Sequence, residues 1–408
     1  MKRMNIFYYG VLKTKRLGTE SVHIYEVLTS LLKEGHNLIY LNTDRPESEE
    51  EIVVETKSSI SERLGETSPI FWLLLYFLAH LRIFLIGFVV IMRQKSMPDV
   101  AYIRHTLFNS GYFLAKFFKI PVVKEVNGIV VDEIEIAGRA KGISLHIIDK
   151  IERFTLPRAD KIIVVTSRLK ETLQRDYGIP EDKMVEIQNG ANTELFKPIS
   201  ITEARKKLNL DKNYYYICYS GTFAAYQGID YFIRSAPYIL GNYPNTRFLM
   251  VGDGSLRKEL TELSEQIGVS EKFIFTGAVP YDKVPLHINA CDVCVAPFVK
   301  ARNERCGLSP LKMCEYLACE KPVVTTDIND SGMKGLLEES NAGILVEPEN
   351  PQELAEAIIK LLKDKKLREE MGRRGREYVV KNRSWESVAR RVAEVCESAV
   401  REHKNKKR

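Results

Sequence analysis

The chain has 408 residues, of which 45% are hydrophobic and 28% charged, with a formal net charge of +6. That balance excludes a disordered, collagen-like or polytopic membrane chain, and so mild a basicity does not mark a nucleic-acid binder without a focused patch. The length allows two or three domains.

The chain opens MKRMNIFYYG. Two basic residues precede a short apolar run, but no apolar core of about 7–15 residues with a small-residue cleavage site follows. The run therefore reads as a first strand, and secretion is not expected. Further strands are expected at Asn37–Leu41, Val100–Ile103, Pro121–Val126, Lys161–Thr166 and Met184–Ile187. A second set follows at Tyr214–Tyr219, Arg247–Val251, Phe273–Thr276, Val293–Pro297, Pro322–Thr326 and Gly343–Val346. Helical periodicity fills the gaps, as in Ser21–Glu34, Ile229–Leu240, Ser255–Gln266, Pro310–Ala318 and Pro351–Leu362. Strands alternating with helices of this length imply βαβ units and parallel sheets. The two sets are separated by a break near Asn192–Lys212. The fold class is therefore α/β, with two Rossmann-like domains facing each other across a cleft. The expected division is an N-terminal domain over 1–195, a C-terminal domain over 196–382, and an amphipathic helix over 383–408 that packs back on the first domain.

One segment breaks the average composition. Ile70–Met92 (IFWLLLYFLAHLRIFLIGFVVIM) is long enough to cross a bilayer, with only His80 and Arg82 strongly polar. A span would put flanking strands of one sheet on opposite sides of the membrane. Burial under the sheet is one alternative, but apolarity nearly all round exceeds what one core face needs. The preferred expectation is a partly exposed apolar helix or helical hairpin dipping into the interface, helped by Trp72, Tyr76, Arg93 and Lys95.

Seven cysteines lie at Cys218, Cys291, Cys294, Cys306, Cys314, Cys319 and Cys396. An odd number in one half of the chain is not a disulfide framework. Cys291 and Cys294 have metal-like spacing but sit in the apolar run ACDVCVAPF without a second pair, so no metal is expected.

Glycines recur where strands run into helices. Gly18 and Thr19 follow the first strand and its basic loop. Gly221-Thr222 and Gln227-Gly228 follow the strand YYYICYS, and Gly252-Asp253-Gly254 follows RFLMV. Glycine lets backbone N–H groups approach an anion at a helix N-terminus. Each loop alone is a weak signal, and together they indicate a nucleotide or phosphate. No GxGxxG with a following acidic residue is present, which disfavours a dinucleotide redox cofactor.

At this point the residues resemble a known family. ADKIIVVTSRLKETLQRDYGIPEDKMVEIQNGANTELFKP, FLMVGDGSLRKEL, FTGAVPYDKVPLHINACDVCVAPF and CEYLACEKPVVTTD are similar, in order and spacing, to GT4 glycosyltransferases of the GT-B fold. The N-terminal GTESVHIYEVLTSLLKEGHNLIYL fits the family's first glycine loop and helix. The resemblance implies a retaining transferase that moves a sugar from a nucleotide-sugar to an acceptor, with no metal or other cofactor.

Carried over position by position, Glu315 matches the second glutamate of the family's paired-glutamate motif, which bonds the donor ribose. The first glutamate should stand at Gly307. Ser309, Pro310 and Leu311 should open the next helix and offer N–H groups to the diphosphate. The family's Arg after Gly221 and Lys before Gly228 are Thr222 and Gln227 here. Neutralising the leaving diphosphate is the main electrostatic task. Lys312, with Arg302 or Arg305, is expected to supply that charge. The backbone around Val279 matches where the family reads the base. The family's His-Gly is Asn127-Gly128 here, with Glu125 on the same strand end, so Asn127 and Glu125 join Lys312 and Arg305 as catalytic candidates. His23 matches a family histidine for which packing is the expected role. Arg104 and His105, at a strand's carboxyl end, are acceptor-side candidates.

The expected function is glycosyl transfer to a lipid-linked glycan or polyprenyl-diphosphate sugar, on the inner face of the plasma membrane, in glycan biosynthesis. Two alternatives stay open: a nucleotide-sugar 2-epimerase-like isomerase, and a non-catalytic nucleotide-sugar-binding subunit.

Overall fold

The computed structural model describes residues 3–9, 19–40, 69–107, 110–136, 141–300, 306–328 and 332–406. The chain forms two compact units. One holds Met1–Val165, Leu169–Ile187 and Val388–Arg408, and the other holds Thr166–Arg168 and Gln188–Ser387.

The first unit is built on a six-stranded parallel sheet in the order β2-β1-β3-β4-β5-β6. Its strands are β1 Asn5–Tyr9, β2 Asn37–Tyr40, β3 Val100–Arg104, β4 Val122–Val126, β5 Lys161–Val164 and β6 Met184–Glu186. Strands of a parallel sheet covered on both faces are apolar nearly throughout. β4 obeys this so strictly that Lys124 and Glu125 are buried with its valines. β5 ends at Val164, short of the expected Thr166, whose side chain turns away to donate to the Cys306 carbonyl at 2.5 Å. The last helix, Trp385–Lys406, is tied to the first unit by side chains. Lys161 pairs with Glu402 at 2.7 Å, Arg390 with Glu34 at 3.4 Å, and Arg391 donates to the Glu186 carbonyl at 2.7 Å.

The apolar segment is one helix, Pro69–Met92, not a hairpin. Its carboxyl half packs on the Ser110–Phe117 helix through Phe88, whose ring lies 5.6 Å from Phe117 and 5.2 Å from Phe118. Val90 and Ile91 are buried, while Leu74, Leu85 and Met92 face solvent. Among the described residues, no helix is long and apolar enough to cross a membrane.

The second unit carries β7 Tyr215–Ser220, β8 Thr246–Val251, β9 Phe273–Gly277, β10 Val293–Ala296, β11 Val323–Thr326 and β12 Gly343–Val346. Their order is β12-β11-β10-β7-β8-β9, all parallel. This is the Rossmann order, and its switch point lies between β7 and β10. Alternation along each strand feeds two separate cores. Tyr216, Cys218, Cys294 and Ala296 pack with Met313 and Leu317 on one face. Ile217, Tyr219, Val293 and Val295 pack with Phe232, Phe248 and Ile358 on the other. The Asn192–Lys212 stretch, expected as a break, lies within this unit. It contains the helix Ile201–Lys207, whose Arg205 is buried, bonded to the Ala290 carbonyl at 2.9 Å and Asp292 at 2.7 Å. Cys291 and Cys294 are fully buried free thiols, both raised in pKa by burial, with Cys218 adding to the rise at Cys291 and opposing it at Cys294. Among the described residues, no group of His, Cys, Asp and Glu is placed to hold a metal ion.

Candidate active site

In doubly wound sheets, ligands gather beyond the carboxyl ends of the strands at the switch point. In the second unit that place lies just past Ser220 on β7 and Ala296 on β10. Gly221 follows with φ of +135°, and a Cβ there would lie 2.8 Å from Lys312 Nζ. The positive φ favours glycine, and a side chain there would push the ammonium from this place. Lys312 comes from the Leu311–Ala318 helix and is buried. Its Nζ donates to Gln227 Oε1 at 2.7 Å and to Tyr219 Oη at 3.0 Å, and stands 4.1 Å over the Tyr219 ring. Tyr219 in turn donates to the Thr222 carbonyl at 3.0 Å. Burial pushes Lys312 down to about 7, against the pull of Glu315. The structure thus brings Gly221, Thr222, Gln227 and Lys312 to one point. The cation there comes from a different element than the glycine loop, and Gln227 serves as its acceptor.

Glu315 lies one turn further along the same helix and is buried, accepting from Tyr281 at 2.9 Å. The loop before the helix explains the missing first glutamate. Gly307 has φ of +66°, and a Cβ there would lie 3.0 Å from Thr166 Oγ1 and 3.2 Å from Arg168 Cβ. Left-handed backbone in so tight a corner strains any side chain. Ser309 anchors this loop: its Oγ accepts from the Asn189 N–H at 2.9 Å, and its carbonyl accepts from Asn189 Nδ2 at 2.5 Å. Pro310 is the N-cap, one position before the place expected for it, and the helix starts at Leu311. The extended backbone of Pro310 (ψ 130°) is what keeps it out of the first turn. In the second glycine loop, Gly252 N–H donates to the Gly277 carbonyl at 3.1 Å. Asp253 closes the turn by accepting from Gly254 N–H at 2.9 Å, and Arg257 stands 3.4 Å from it. Val279 packs on the core with Tyr281.

In the first unit, β4 delivers Glu125 and Asn127 to its carboxyl end. Glu125 is buried, accepts from Asn127 Nδ2 at 2.7 Å and from the Tyr102 hydroxyl, and has His23 Nε2 2.9 Å from its Oε1. Burial alone would raise its pKa, but His23, Arg104 and Tyr102 together hold the carboxyl below the usual range. So charged and so surrounded, Glu125 orients Asn127 and His23 and does not carry protons at neutral pH. His23 therefore has a polar partner as well as packing.

His105 and Arg104 part company. His105 has a side chain only 2% exposed, with Nε2 2.8 Å from Glu152 Oε1. Burial lowers its pKa, with Glu152 opposing. Arg104, one residue earlier, contributes its charge to Glu125 on the other face. Glu152 was not visible in the sequence, where it sits inside the amphipathic helix Ile143–Thr155. It also accepts from the N–H groups of Val130 at 2.9 Å and Val131 at 3.1 Å and from Tyr177 at 3.2 Å. It thereby caps the helix Val130–Ile136 in place of a local Ser or Asp. No sequence signal marked it, since its buried face (Ser144, Ile148, Glu152, Thr155) is mostly polar and the apolar Ile143, Ile147 and Phe154 face out.

Comparison with known proteins follows the two units. The model for Glycosyltransferase Family 4 matches residues 21–195, and that for Glycosyl transferases group 1 matches residues 200–378. The chain is a glycosyltransferase of the GT-B fold. It is similar to an uncharacterized glycosyltransferase of Methanocaldococcus jannaschii, 27% identical over 71% of this chain and 72% of that protein. It is also similar to the GDP-mannose-dependent alpha-(1-6)-phosphatidylinositol monomannoside mannosyltransferase of Mycobacterium tuberculosis. There the identity is 25%, over 58% of this chain and 61% of that protein, so the match spans less than two thirds of the relative. Among solved structures, a glycosyltransferase from Rickettsia africae superposes with a TM-score of 0.74. That superposition covers 98% of this chain and 99% of that one at 18% identity, and it speaks to the fold.

Of the site residues expected for this glycosyltransferase, Gly18, Arg302 and Arg305 lie outside the described residues. Thr19 opens the helix Thr19–Lys33. Gly221, Thr222, Gln227 and Lys312 lie together beyond β7, Glu125 and Asn127 lie at the end of β4, and His105 turns inward to Glu152.

Proposed function

We propose that this glycosyltransferase moves a sugar from a nucleotide-sugar to a lipid-linked saccharide with retention of configuration, and that Lys312 carries the charge of the leaving diphosphate. The observation behind this reading is the buried ammonium beside Gly221, at the switch point of the second sheet. In the reaction, the bond from the anomeric carbon to the diphosphate oxygen breaks, and its electron pair stays on that oxygen. The acceptor hydroxyl bonds to the same face of the anomeric carbon and gives its proton to the departing phosphate. The products are the glycoside and a nucleoside diphosphate. Charge develops on the diphosphate in the transition state, so a preorganised cation there lowers the barrier. Lys312 in a dry pocket is such a cation, and the proton it holds is stabilised further once the dianion arrives. Glu315 takes two ribose hydroxyls. Asn127 offers an amide to a sugar hydroxyl, and since the phosphate takes the proton, the histidine it replaces is not needed. This reading needs no metal. Support for the donor and the lipid acceptor comes from the name of the mycobacterial relative, which is GDP-mannose-dependent and acts on a phosphatidylinositol monomannoside.

The test is release of nucleoside diphosphate from a panel of nucleotide-sugars, with and without lipid acceptor. Lys312→Ala is expected to lower kcat about 10²–10³-fold, as loss of one preorganised charge donor does. Undiminished turnover in that variant would overturn the role of Lys312. An isomerised donor would indicate an epimerase, and release that ignores the acceptor would remove the transfer reading.

A further inference from the structure

Three neighbouring helices of the first unit turn apolar side chains to solvent. On Pro69–Met92, the residues Leu74, Leu78, Leu81, Leu85, Val89 and Met92 recur every three or four positions and are each 44% or more exposed. They form one stripe along the helix. The opposite side of this helix packs on Ser110–Phe117 and touches Ile143–Thr155. Those two helices continue the apolar surface with Phe117 at 65% exposure and Ile143 at 71%. An exposed helix face of a monomeric soluble protein is normally polar, so a contiguous apolar surface marks a docking site.

The charges around it say what docks. From Pro69 to Phe118 the only acidic residue is Asp99, and its carboxylate is taken by the Asn5 N–H at 2.8 Å. Arg82, Arg93 and Lys95 are exposed over the same stretch and Lys119 just beyond it, while on Ile143–Thr155 Asp149 is paired with Arg153 at 2.9 Å. The Arg158 guanidinium lies 3.8 Å over the ring of Phe154, which is 51% exposed. We propose that this three-helix face docks on an anionic lipid bilayer. The aliphatic stripe enters the acyl boundary while the Arg and Lys heads stay at the headgroup level. The helix lies in the interface and does not cross it, because its other side is packed on its own unit. A second copy of the chain is a poorer partner, since a two-fold contact would bring the same cations together.

This surface extends the lipid-acceptor part of the proposed function, but its test contains no nucleotide-sugar, so failure of one does not entail failure of the other. The full chain is sedimented with phosphatidylcholine vesicles, with and without phosphatidylglycerol. The wild type is expected to bind the anionic vesicles and to release with salt. Leu78→Glu, Leu85→Glu and Ile143→Glu together, all at exposed positions, are expected to weaken binding more than about tenfold while thermal melting is unchanged. If that variant does not fold, Arg93→Glu, Lys95→Glu and Lys119→Glu together give the second reading, with loss on anionic vesicles only. Absence of wild-type binding, or equal binding by the folded variants, would overturn the proposal. So would a wild-type dimer that the apolar variant breaks without either protein binding vesicles.

Discussion

Each unit of this glycosyltransferase buries a lysine. Lys124 lies on β4 of the first, and Lys312 on the helix beyond β10 of the second. Both are pushed down to about 7 by burial, so burial alone does not separate a structural lysine from a functional one. Their partners do. Lys124 donates to the Thr155 carbonyl at 2.8 Å and stands 4.7 Å over the Tyr112 ring, which ties a strand to a helix. Lys312 bonds to the neutral groups of Gln227 and Tyr219 and faces a glycine. On the proposed reading that glycine loop is where the diphosphate would lie, whereas Lys124 is tied between a strand and a helix. A perturbed pKa becomes evidence of function only where the surrounding backbone leaves room for a ligand.

The contrast is broken most directly by exchanging each lysine for methionine. Lys312→Met is expected to lower kcat by about 10²–10³-fold with little loss of stability, since an apolar isostere fills the same buried space. Lys124→Met should leave kcat within about twofold and change stability by less than about 1.5 kcal/mol. Steady-state kinetics and urea melts on both variants check this, and a large kcat loss in Lys124→Met would erase the distinction. Next in size is Glu152→Ala, which leaves His105, Tyr177 and two N–H groups without their acceptor. Urea melts should show a loss of about 3 kcal/mol. Reinstating the family carboxylate by Gly307→Glu should cost about 1–3 kcal/mol from left-handed backbone strain, without raising activity.

The smallest expected effect is on pH dependence, and the two lysines predict different profiles. Lys312 must be protonated to hold the diphosphate, so kcat/KM for the donor should fall as pH rises above about 7. That limb should be missing from the residual activity of Lys312→Met. For stability the sign is reversed. A lysine with a folded pKa of about 7 and an unfolded one near 10.4 binds more protons when unfolded between those values. Wild-type stability therefore rises with pH over that window through both buried lysines, and Lys124→Met should remove its share of the rise. Melts across that range would show whether it does.

Much of the fold could be read from the sequence because parallel strands buried on both faces leave unbroken apolar runs. Runs such as VVKEV and CDVCVAPF stood out for that reason. The two Rossmann-like units followed from strands and helices alternating. The glycine loops and the SPLK…E helix were legible too, because close backbone approach and helix starts demand particular residue types. Side-chain pairings across the sequence were not. Nothing local links His105 to Glu152, 47 positions apart, or Lys312 to Gln227, 85 apart. A strand face also does not announce which of two neighbours, Arg104 or His105, turns inward.

The sequence by itself determined the fold class, the strand sets, the glycines and the family resemblance, since each depends on local periodicity or on residue types at short spacing. It also exposed the apolar excess of Ile70–Met92. Only the tertiary structure decided how that excess is used. One side of a single helix packs on Ser110–Phe117 and the other faces out, beside cations contributed by separate segments. It likewise decided that a glutamate at Gly307 would be strained, because the left-handed corner is crowded by Thr166 and Arg168, some 140 positions away. Long-range packing sets which side chains share a volume, and no local pattern encodes that.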